Sequence, residues 1–150
     1  MIIINKAIKE ALVMNDYIKI LKHETKCFEE ILKKVKSEDL IKNINEILLI
    51  IYKHIEASSK KMNECGVIPE CEGYLQKFSC SHKINVCSKN NEFELIIYGI
   101  DTVNYAIKRI YEFIFYNKDD VSDYIMLIEE CLKDLEVHNI ILKELLKVYY

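Results

Sequence analysis

The stretch EECLKDLEVHNIILKELL, residues 129–146, decides how the rest of the chain is read. With Ile128 just ahead of it, its apolar positions are Ile128, Cys131, Leu132, Leu135, Leu142 and Leu145. Steps of three and four put these on one side of an α-helix of about five turns. His138 fills the gap in that stripe, so the helix carries an imidazole on the face it must bury. A titratable group on the inside of a helix packing is a candidate for function.

Toward the N-terminus, Asn117-Lys118-Asp119-Asp120 reads as a polar turn, with Asp120 or Ser122 expected to cap the last helix. Before it, Ile96, Gly99 or Ile100, Val103, Ala106 or Ile107, Ile110 and Ile114 recur at helical spacing. Asn91 with Glu94 three residues on has the form of a capping box and would start that third helix. Residues 63–91 break the pattern. They hold Gly66, Pro69, Gly73, His82 and four of the six cysteines, Cys65, Cys71, Cys80 and Cys87. A connection of about thirty residues is several times the usual length, so it is expected to cross the bundle.

A second helix is expected from a Ser37 cap to about Met62, with Glu38 and Asp39 in the first turn, where the helix dipole favours anions. Its inward face is Leu40, Ile44, Ile47, Leu48, Ile51, His54, Ile55 and Ser58. The first helix covers 5–36, with an interruption foreseen at Asn15-Asp16. Met14, Tyr17, Ile18, Leu21, Phe28, Ile31, Leu32 and Val35 form its stripe, and Glu24 lies at the centre of it.

Composition narrows the class. Half the residues are apolar and just under a third charged, a soluble globular profile for one domain spanning 1–150. A net charge of −3 offers no basic field for nucleic acid. The apolar start, Met1 to Ile4, is too short for a signal peptide, and the run Ile47–Tyr52 is too short to span a bilayer. The expectation is a cytoplasmic protein with neither nucleic acid nor membrane as partner. No phosphate loop or nucleophile elbow is present, so no catalytic residue is nominated.

The order helix pair, long connection, helix pair resembles the ferritin-like superfamily, nearest to its bacterioferritin and rubrerythrin branches, over residues 15–148. The segment HIEASSKKMNECGVIPECEGY, residues 54–74, is similar to the way such helices run from a metal-binding histidine into a Gly-Pro crossover. The acid-rich run from Asp119 to His138, followed by Leu-rich turns, resembles the family's last helix. This resemblance implies an all-α, ferritin-like antiparallel four-helix bundle with a long crossover between helices two and three, and a homodimer.

It also implies a metal site. The family binds two irons with one glutamate from each of helices one and three and a Glu-x-x-His pair from each of helices two and four. Glu24 matches the helix-one glutamate, and His54 and His138 match the histidines. Ile51, Leu135 and Val103 stand where the other glutamates belong. Without bridging carboxylates two cations in a low-dielectric core are not neutralised, so ferroxidase chemistry is not expected.

Two readings stand. In the first, a single ion such as Fe²⁺ or Zn²⁺ is held by Glu24, His54 and His138, with Asp134 as a substitute carboxylate or as the hydrogen-bond partner of His138. In the second, the three polar groups satisfy one another in a metal-free bundle whose work is association. The crossover and Tyr98, Tyr105, Tyr111 and Tyr116 would then form the contact surface. Cys27 and Cys131 read as buried packing residues, or as soft ligands near the metal level. For the crossover cysteines, zinc, disulfides and free thiols remain open.

Overall fold

The computed structural model describes residues 5–69 and 91–149. It contains four long helices: α1 (Lys6–Lys34), α2 (Glu38–Glu64), α3 (Glu92–Asn117) and α4 (Ile125–Leu146). Single 3-10 turns at Lys118–Asp120 and Ser122–Tyr124 lead into α4, and another, Lys147–Tyr149, follows it. No strand occurs among the described residues, so the chain is all-α there. The expected crossover lies almost wholly outside them, as do Cys71, Cys80, His82 and Cys87 with their candidate zinc or disulfide roles. No described helix is long and apolar enough to cross a membrane.

The stripes read from the sequence are the faces that pack. Met14, Tyr17, Ile18, Leu21, Phe28 and Ile31 of α1 meet Leu40, Ile44, Ile47 and Ile51 of α2 in one core. Leu95, Ile96, Val103 and Ile110 of α3 and Ile128, Leu135 and Leu142 of α4 complete it. Each such side chain taken fully out of water contributes about 1.5–3 kcal/mol, which is what holds helices of this length in place. α1 packs on α2 and α3, and α4 packs on α3 and more lightly on α2. Gly99 faces this core, and a β-carbon there would lie at ordinary contact distance, 3.4 Å from Phe28 Cε1 and 3.5 Å from Leu142 Cδ1.

The helix ends depart from expectation. α1 runs unbroken through Asn15-Asp16, because Met14, Tyr17 and Ile18 around the pair are buried together and tertiary packing overrides the local capping tendency. Ser37 caps α2 as foreseen, its hydroxyl accepting from Leu40 N. Asn91 caps α3 through Phe93 N at 2.9 Å. Neither Asp120 nor Ser122 caps α4 through its side chain. Ser122 Oγ instead donates to Glu10 Oε1 at 3.0 Å.

Two sets of polar contacts tie distant segments. Glu92 Oε1 accepts from the amides of Lys36 and Ser37, each at 2.7 Å, while Oε2 accepts from the Tyr149 hydroxyl at 2.7 Å. Partial burial works against ionisation of Glu92, but the hydrogen bonds from Tyr149, Lys36 and Ser37 outweigh it and hold its pKa below the usual carboxylate value. The second set joins Glu10 near the start of α1 to Ser122, and Lys61 near the end of α2 to the carbonyl of Asp123.

Candidate functional site

Glu24 sits one turn from Leu21 and Phe28 on the buried face of α1, and is 1% exposed. Neither carboxylate oxygen has a hydrogen-bond partner. Burial alone pushes its pKa well above the normal carboxylate value, which favours the neutral acid over the carboxylate. His138 of α4 is equally enclosed, at 1% exposed, and neither of its ring nitrogens is partnered. Burial pushes the His138 pKa down to about 4, the charge of Asp134 working against that shift and His54 adding to it.

His54 is half-buried on α2 and is already engaged: its Nε2 lies 2.5 Å from Asp134 Oδ2 of α4. An ionised carboxylate only accepts, so Nε2 carries the proton of that bond, and in the neutral ring Nδ1 keeps the lone pair. The sequence offers Asp134 as a substitute carboxylate or as the hydrogen-bond partner of His138, one turn along its own helix. The structure gives it to His54 across the helix pair. Among the described residues, no three histidine, cysteine, aspartate or glutamate side chains stand together as a metal-binding group in this arrangement.

The positions where glutamates would complete a two-metal centre are apolar and enclosed. Ile51, Val103 and Leu135 all belong to the buried core. A pair of divalent cations does not fit these surroundings, because nothing there could neutralise the second one.

Beside these residues lies a further set, Tyr17, Ser58 and Cys131, of which the sequence marks only Cys131 as more than core, as a soft ligand near the metal level. The Tyr17 hydroxyl faces the Cys131 thiol and the Ser58 hydroxyl, and the field of Glu24 reaches it as well. Neither Tyr17 Oη nor Ser58 Oγ makes a hydrogen bond of ordinary geometry. Burial, more than the neighbouring Glu24 and Asp134, pushes the Cys131 thiol up to about 12 against a hydrogen-bonding contribution from Tyr17. The signal was present in the spacing. Tyr17 precedes Glu24 by seven residues, Cys131 precedes His138 by seven, and Ser58 follows His54 by four. Helical periodicity thus returns a polar residue to the same face on α1, α2 and α4.

Cys27 and Cys131 part ways. Cys131 is a free, buried thiol. Cys27 is disulfide-bonded rather than a simple packing residue, with the Tyr98 hydroxyl donating to its sulfur at 3.3 Å and His23 Nε2 at 3.7 Å. Comparison of the chain with protein-family models, with curated proteins and with solved structures finds no match in any of the three.

Proposed function

We propose that this chain is a ferritin-like bundle that holds one metal ion in its interior rather than two, with Glu24 and His138 as its first ligands and His54 as the third. The observation that carries this reading is the pair of 99%-buried side chains on α1 and α4 whose four polar atoms have no partner. A buried polar atom left unpaired costs about 1–3 kcal/mol, so four of them in one core call for a compensating ligand. One carboxylate and two imidazoles are a donor set for a single Fe²⁺ or Zn²⁺. The Asp134–His54 bond supports the assignment, since ligating histidines are oriented by a carboxylate on the far ring nitrogen. Convergence requires His54 and Glu24 to turn toward His138.

The ferritin-like course of the helices has support from their ends. Glu92 at the start of α3 touches the end of α1, and Ser122 beyond the end of α3 touches the start of α1. Lys61 near the end of α2 reaches Asp123 beside the start of α4. These contacts favour α1 antiparallel to both α2 and α3, with α2 and α3 parallel, the order that demands a connection running the length of the bundle.

The test is metal content by mass spectrometry, on protein purified without chelator or affinity metal, beside Glu24→Gln and His138→Ala variants. Near-stoichiometric iron or zinc, lost in both variants, supports a mononuclear site. Wild-type protein that neither carries metal nor takes up added Zn²⁺ or Fe²⁺ sinks it.

A further inference from the structure

The surroundings of Cys27 suit a thiolate better than the disulfide it forms. Its side chain belongs to the buried face of α1 and is 2% exposed. The Tyr98 hydroxyl of α3 donates to Sγ at 3.3 Å. His23, one turn back on α1, holds Nε2 3.7 Å from the same atom. A disulfide sulfur carries no proton and can only accept, so in the neutral ring this contact puts the hydrogen on Nε2. The Tyr105 ring stands edge-on to His23, with 5.9 Å between centroids, and restrains the imidazole. Cys65 and Cys131 are free, so the cysteine joined to Cys27 lies outside the described residues.

Sulfur is a weak acceptor, and two donors aimed at it gain little while the disulfide is intact. The same two bonds become charge-assisted, and roughly twice as strong, once that sulfur is a thiolate. The donors therefore favour the reduced state over the oxidised one. Burial sets the direction of exchange as well. An incoming thiolate has no approach to Cys27 Sγ and must strike the other sulfur of the bond. Cys27 is then the sulfur that leaves, and a stabilised thiolate leaves faster.

We propose that the Cys27 disulfide is a site of reversible thiol–disulfide exchange with a dithiol, in which Cys27 is the leaving thiolate and His23 and Tyr98 are the residues positioned to receive it. The first thiolate of the dithiol bonds to the sulfur joined to Cys27. The protein S–S bond breaks and its electron pair stays on Cys27 Sγ. The second thiolate of the dithiol attacks the mixed disulfide, closes the dithiol into its own disulfide and releases the other protein sulfur as a thiolate. Two electrons pass from dithiol to protein, and the two protons of the dithiol go to the protein sulfurs or to solvent.

The experiment equilibrates the full chain in buffers of reduced and oxidised dithiothreitol, quenches in acid, and reads the state of Cys27 by differential alkylation and peptide mass mapping. Folded wild type, checked by circular dichroism, should open and re-form the bond. Tyr98→Phe and His23→Gln each remove one donor. Both should slow reduction and shift the equilibrium toward the disulfide by up to roughly tenfold, about 30 mV for a two-electron couple. In urea, where the helices no longer hold the donors beside Cys27, wild type and both variants should share one midpoint. A bond that dithiothreitol reduces only after unfolding overturns the proposal. So do folded variants with the wild-type midpoint, or a shift that persists unchanged in urea.

Discussion

Asp134 and His54 face each other from α4 and α2 with 2.5 Å between Oδ2 and Nε2, while His138, one turn beyond Asp134, is left with both nitrogens unpartnered. The two imidazoles of the candidate site are thus in different states before any ligand arrives. Nitrogen-15 NMR of metal-free protein should find His54 as the tautomer protonated on Nε2. Asp134→Asn should erase that preference, whereas Asp134→Glu should retain part of it. A His54 ring protonated on Nδ1 in the wild type would contradict the geometry.

Glu24 and His138 should tilt the stability of the metal-free protein in opposite directions. The His138 pKa is depressed, from 6.5 to about 4, so within that window the unfolded chain binds the additional proton. Stability therefore rises with pH there and is lost as pH falls. The Glu24 pKa is raised above 4.5, so beyond that pH the folded chain holds the additional proton and stability falls as pH rises. Measured by urea unfolding, Glu24→Gln should gain on wild type with increasing pH, by up to about 1.4 kcal/mol per unit. His138→Leu should gain on wild type as the pH is lowered from 6.5 toward 4. Parallel curves for wild type and variants would show that neither group titrates as its burial dictates.

Gly99→Ala should stabilise the fold. A glycine inside a helix costs about 1 kcal/mol relative to alanine, and the added methyl would meet Phe28, Leu142 and Ile31 at 3.4–3.6 Å, ordinary contact distance. The expected gain is about 0.5–1 kcal/mol in thermal or urea unfolding. Gly99→Leu, by contrast, would overfill the same space and lose about 1–3 kcal/mol.

The three described cysteines should react in a fixed order with iodoacetamide. Cys65, half-buried and free, should be alkylated in native protein. Cys131, enclosed and held protonated by burial, should react only after unfolding. Cys27 should need reduction first, because it is disulfide-bonded. Peptide mass mapping of native, denatured and reduced samples distinguishes the three.

The helices and the candidate residues were legible for the same reason: Glu24, His54 and His138 each occupy a slot in an apolar stripe where a core residue would otherwise stand. The helix starts were less so. Asp120 and Ser122 look like caps, but Ser122 finds Glu10 across the molecule, and no local spacing encodes a partner 112 residues away. The hydrogen-bond partner of Asp134 is hidden from the sequence for a related reason. On its own helix His138 is the natural neighbour, whereas the packing of α4 against α2 brings Asp134 to His54. Tyr17 and Ser58 read as core because each is small or amphipathic enough to be buried without remark, and only their joint burial beside Cys131 shows a polar patch.

Glu92 has a kinetic consequence. One carboxylate satisfies the amides of Lys36 and Ser37 in the α1–α2 turn and the hydroxyl of Tyr149 in the last turn of the described chain. Fraying of that last turn therefore removes a neighbour that steadies Glu92, and the α1–α2 turn loses protection with it. Hydrogen exchange at Lys36 and Ser37 should report openings of the turn at Lys147–Tyr149, so these two segments, far apart in sequence but joined at one end of the bundle, behave as one cooperative unit.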